Sequence, residues 1–93
     1  MHEGKIAQYV MEILEETVNS DPELKTKKIS KITFSQGYPP SVVPDSFEFY
    51  FTELVRGTSF ENAVLEYTEL PDISDGGFYI TSIETSEENT GGN

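Results

Sequence analysis

The 93-residue chain has no cysteine and a single histidine, His2. Disulfides and any zinc site built on thiolates are therefore excluded, and the lack of cysteine agrees with a reducing compartment. Transition-metal chemistry has nowhere to begin but the amino terminus. Cationic side chains are scarce as well, with 6 Lys and Arg against 17 Asp and Glu and a formal net charge of −11. That balance argues against nucleic acid and against anionic membrane surfaces, both of which are held by clustered cations. Its ordinary meaning is solubility, and it also suits a cation or a basic partner patch. No apolar run is long enough to span a bilayer, and Glu12, Glu15 and Glu16 stand where a signal peptide needs an apolar core. Cytoplasm is the expected location. No Ser-His-Asp, Cys-His or phosphate-loop pattern is present, so the chain is not expected to be an enzyme.

What is present begins at Met1-His2-Glu3. A free α-amine, the peptide nitrogen of residue 2 and the imidazole Nδ1 of His2 form two fused chelate rings with three nitrogen donors in one plane. This set suits Ni(II) or Cu(II), whose tetragonal geometry rewards strong in-plane nitrogen ligands. The remaining in-plane position, opposite the peptide nitrogen, needs another donor; a carboxylate or water fits, and Glu3 is the nearest candidate. The first N–H groups of a helix lack intrahelical acceptors, so a metal can displace a proton there without breaking the helix ladder. The positive end of the helix dipole disfavours a cation, and Glu3 offsets it. Affinity should fall on acidification, because amine, amide and imidazole must all be free of competing protons.

Ninety-three residues make one domain, able to bury roughly 60 to 65% of its unfolded surface. Residues 3 to 20 have the pattern of an amphipathic helix, with Ile6, Val10, Ile13, Leu14 and Val18 on the apolar face and Asp21-Pro22 as the stop. Residues 23 to 28 form a basic connection. Residues 29 to 36 alternate as a strand with Ile32 and Phe34 on one face, although Ile29 is out of phase. Gly37-Tyr38-Pro39-Pro40-Ser41 interrupts, and a second helix is expected from Pro44, with Phe47, Tyr50, Phe51, Leu54 and Val55 as an aromatic-rich core stripe and Gly57 as its cap. Val64 to Leu70 and Phe78 to Glu84 are the remaining strands, joined as a hairpin across Pro71 to Gly77. The expected fold is α/β (α+β): two helices covering one face of a three-stranded mixed sheet, in the order helix-strand-helix-strand-strand. Residues 1–84 form the domain and residues 85–93 an acidic tail expected to be disordered.

In that order the chain resembles the HypA (HypA/HybF) family of nickel-insertion proteins for hydrogenase maturation. The likeness rests on Met1-His2-Glu3 with its helix, on Lys28-Ile29-Ser30-Lys31-Ile32-Thr33-Phe34, and on Ser41-Val42-Val43-Pro44-Asp45-Ser46-Phe47-Glu48-Phe49. It continues through Gly57-Thr58, Glu61-Asn62-Ala63-Val64-Leu65 and Ile80-Thr81-Ser82-Ile83-Glu84. The resemblance implies Ni(II) as cargo, Met1 and His2 as ligands with Glu3 adjoining, and partners among nickel-enzyme maturation proteins such as a HypB-like GTPase. Two departures stand out. The family carries a zinc domain with two Cys-x-x-Cys pairs between its last two strands, where this chain has only Pro71 to Gly77, so no zinc is expected. The family also often reads Gly-Glu-Leu-Ser-Gly where this chain has Gly37-Tyr38-Pro39-Pro40-Ser41, and Tyr38 cannot supply the glutamate's charge for partner contact. Two functions are therefore carried forward. One is a nickel metallochaperone; the other is a metal-free interaction module that kept the fold after losing the zinc domain.

Overall fold

The computed structural model describes residues 3–74 and 76–86. Helix α1 spans Glu3–Asn19, and the single turn α2 spans Pro22–Lys25. Strand β1 is Ile29–Gly37, α3 is Pro44–Leu54, β2 is Val64–Leu70 and β3 is Phe78–Thr85. The expected order is present, with α2 added. Asp21 does more than stop α1: its carboxylate accepts the Glu23 N–H at 3.0 Å, so it caps α2 with Pro22 as first residue.

The sheet order is β2-β1-β3, with β2 parallel and β3 antiparallel to β1. The sheet is mixed, as expected, but the final hairpin is not formed. Instead the 71–77 link crosses the end of β1 and lays β3 on its far side. The Tyr38 N–H donates to the Ile73 carbonyl at 2.8 Å at the crossing. A Cβ at Gly37 would collide with that carbonyl oxygen, so glycine is required where the two backbones meet. This placement makes β1 central and covers both of its edges.

The out-of-phase Ile29 has a physical reason. The β1–β3 register slips between Ile29 and Lys31, and again between Thr33 and Phe34. The first slip re-aims the strand so that Ile29 joins Ile32 and Phe34 in the core, all three essentially inaccessible. On the outer face Lys31 lies between Glu66 of β2 and Glu84 of β3, at 3.5 and 3.6 Å. Exposed pairs of this kind add little stability.

Phe34 is the hub of the core. Its ring stacks on Tyr67 and Phe78 at centroid distances of 5.6 and 4.9 Å, and meets the edges of Phe47 and Phe51 at 5.3 and 6.5 Å. Three strands and α3 therefore converge on one side chain. From α1 the buried residues are Ala7, Val10, Met11, Leu14 and Val18. Ile13, expected inside, is half exposed and lies beside Thr17 and the β3 residues Ile80 to Ile83, over the rim of the sheet. The α3 stripe is also narrower than expected. Phe47, Phe51 and Val55 are buried one turn apart, whereas Tyr50 and Leu54 rotate outward to 44% and 37% exposure. Only one line of α3 faces the sheet, and Tyr50 and Leu54 border an open cleft beside α1. Gly57 adopts φ +81° just beyond the helix, the left-handed conformation of a C-terminal stop.

Candidate metal centre

The metal ligands expected from the sequence are Met1, His2 and Glu3. Met1 and His2 lie outside the described residues, and Glu3 is the point where the structure takes up the site. Its side chain is 9% exposed although it opens α1. The reason is Val43, the residue before α3. Val43 has no side chain able to cap the helix, and its N–H donates to Glu3 Oε2 in a long hydrogen bond of 3.4 Å. In a capping box a glutamate inside the helix reaches back to this N–H. Here a glutamate from the chain start performs the task.

The Val43 N–H is held in position by a second device that the sequence reading missed. Gln36 is 3% exposed at the end of β1, and its amide grips the backbone of Val42. Gln36 Nε2 donates to the Val42 carbonyl at 3.1 Å, and the Val42 N–H donates to Gln36 Oε1 at 2.9 Å. The two bonds reproduce a rung of sheet beyond the end of β1, fixing the turn of Tyr38 to Ser41 and delivering Val43 to Glu3. The signal was in the alternation, since Ile32, Phe34 and Gln36 share the inward face. A polar residue there needs buried partners.

The electrostatics follow from this junction. Glu3 joins the beginnings of α1 and α3, so a cation at the chain start would meet the positive ends of two helices. Glu3 itself and Asp45, in the first turn of α3, supply the opposing charge. With Oε2 on the Val43 N–H, Glu3 has a second oxygen able to accept another bond. Among the described residues no group of three or more His, Cys, Asp or Glu side chains gathers to hold a metal. Among the described residues Tyr67 is the ionisable group clearly displaced: burial first, then the hydrogen bond it donates to Glu48 Oε2 at 2.7 Å, drives its phenol far above the usual range. It lies on β2 and braces α3 against the sheet. Among the described residues no helix is long and apolar enough to cross a membrane.

Comparison with known proteins gives this arrangement a context. The model of the family described as hydrogenase/urease nickel incorporation, metallochaperone, HypA matches residues 1–74. The match takes in the amino terminus, Gln36, Val43 and β2, and ends before β3. Relatives named hydrogenase maturation factor HypA are 30% identical over 71 residues in Lawsonia intracellularis, 32% over 74 in a Nostoc species and 35% over 71 in Moorella thermoacetica. These alignments cover 76%, 80% and 76% of this chain, and 58%, 60% and 60% of the relatives. The chain thus spans about three fifths of the length of the relatives it matches. On a match that begins at the first residue and runs through α1, β1, α3 and β2, the chain belongs to the HypA family of nickel-incorporation metallochaperones.

Proposed function

We propose that this chain carries one Ni(II) ion at its amino terminus and passes it to a nickel enzyme, with hydrogenase the leading target. The ligands are the Met1 amine, the peptide nitrogen of His2 and its imidazole Nδ1, with a carboxylate or water completing the plane. The family match, which includes Met1 and His2, carries this reading. The junction at Val43 supports it, because Glu3 is fixed by the fold immediately after the chelating residues. Nickel is cargo, and the expected binding is modest: two helix ends oppose a cation, and a weakly held ion is easily surrendered. The cytoplasm is the compartment in which it would work, and a HypB-like GTPase is the partner that the family suggests.

The test is a Ni(II) titration followed by visible absorption, using protein whose first residue is an unblocked Met1. A square-planar band should develop with one equivalent of metal, and should be lost when the amine is acetylated or the chain is extended by one residue. Equal affinity of native and extended chains would remove the amine from the ligand set.

A further inference from the structure

The two helices shield the sheet, but their own outer side is not closed. Between the start of α1 and the middle of α3 lies a shallow cleft of about 320 Å³ lined by Gly4, Gln8, Phe49, Tyr50, Glu53 and Leu54. Phe49 is 71% exposed and meets the Tyr50 ring edge-on at 5.2 Å. Gly4 forms the floor. A Cβ there would come within 3.3 Å of the Tyr50 ring, so glycine lets the aromatic lie against α1 and keeps the cleft open. Tyr9, also well exposed, lines the adjoining depression with Gln8. Large aromatics clustered on the outside of a small acidic domain contribute nothing to its core, and such patches mark interaction surfaces.

The rim decides the occupant. Glu12 borders the neighbouring depression with Tyr9 and Gln8, and Glu15 and Glu16 line the next one along α1. Against these and Glu53 stand two cations, Lys5 and Arg56, and Arg56 is already paired with Glu53 at 2.7 Å. A second copy would bring an identical acidic rim and a second charge of −11 against the first. An anionic membrane is opposed for the same reason. The volume is at the small end for an enclosed ligand site and suits side chains projecting from a helix laid across the α1–α3 pair. We infer that this cleft docks a basic amphipathic helix of another protein, its aliphatic face on Phe49, Tyr50 and Leu54 and its Lys and Arg residues toward Glu12, Glu15 and Glu16.

The inference is independent of nickel and is tested on the metal-free protein. The probe is a fluorescein-labelled peptide of about 18 residues with Leu on one helical face and Lys on the other, titrated by anisotropy. A scrambled peptide of identical composition should bind about tenfold more weakly, since charge is retained and the apolar face is lost. The double variant Phe49→Ser, Tyr50→Ser should weaken the amphipathic peptide by about tenfold or more, with an unchanged circular dichroism spectrum. Val64→Ser, at an exposed position on β2, should have no effect. Equal binding of the scrambled peptide would reduce the interaction to bulk charge and overturn the inference. Undiminished binding by a folded double variant, or by Glu12→Lys, Glu15→Lys, would overturn it too.

Discussion

The carboxylate of Glu3 and the backbone N–H of Val43 meet across 40 positions of sequence. This contact fastens the start of α1 to the beginning of α3, so Glu3 has a structural task beside the metal-binding one proposed for it. Separating those roles is the first use of mutagenesis here.

Glu3→Gln keeps an oxygen acceptor for Val43 and loses the carboxylate charge. We expect unchanged thermal stability and a Ni(II) affinity lowered several-fold, on the order of a helix-end charge effect of 0.3–1 kcal/mol. Glu3→Ala removes the acceptor also and should cost about 1 kcal/mol of stability. Thermal melts with parallel nickel titrations measure both.

Gln36→Leu should be the more damaging change, although Gln36 lies in no apolar contact role. The variant leaves the Val42 N–H and carbonyl buried without partners. A loss of about 2 kcal/mol or more is expected from urea unfolding, since each orphaned group costs roughly 1–3 kcal/mol. If the amide fixes the turn, the Val43 resonance in a 15N correlation spectrum should shift as well.

Nickel retention should fall as pH drops through the range where imidazole and amine take up protons, roughly 8 down to 6. Dialysis of loaded protein across this range, with metal measured in the retentate, gives the profile. A flat profile would be incompatible with nitrogen ligation at the terminus.

Tyr67 predicts the alkaline limit of stability. Its folded pKa is raised above the unfolded value, so the neutral phenol stabilises the fold fully below about pH 10 and that contribution is lost as pH rises beyond it. Tyr67→Phe has no phenol to ionise. Its melting temperature should decline less steeply above about pH 10 than that of the parent chain.

Much of this fold was legible from periodicity. Val10, Leu14 and Val18 and the alternation of Ile32 and Phe34 marked the elements, and Pro44 the start of α3. What escaped depended on contacts distant in sequence. Pro71 to Gly77 has the composition of a hairpin turn, and nothing local says that Phe78 stacks on Phe34 and not beside β2. Tyr50 and Leu54 fit the helical stripe but face the open cleft between α1 and α3. At the candidate site, Met1 and His2 lie outside the described residues, and the tether from Glu3 to Val43 was not readable, because it requires the turn that Gln36 holds. The family likeness was visible in ordered fragments, and the match to residues 1–74 covers all of them except Ile80 to Glu84.

The crossing beneath Ile73 has one more implication. Since β1 separates β2 from β3, the ends of the link between them are held about two strand spacings, roughly 10 Å, apart by the sheet itself. The connecting segment does not have to define the pairing, as a tight hairpin would. Lengthening such a segment costs only about 0.6 kcal/mol per doubling. The gap between β2 and β3 is thus a socket in the architecture, where a whole module can be fitted or removed while the three strands keep their register.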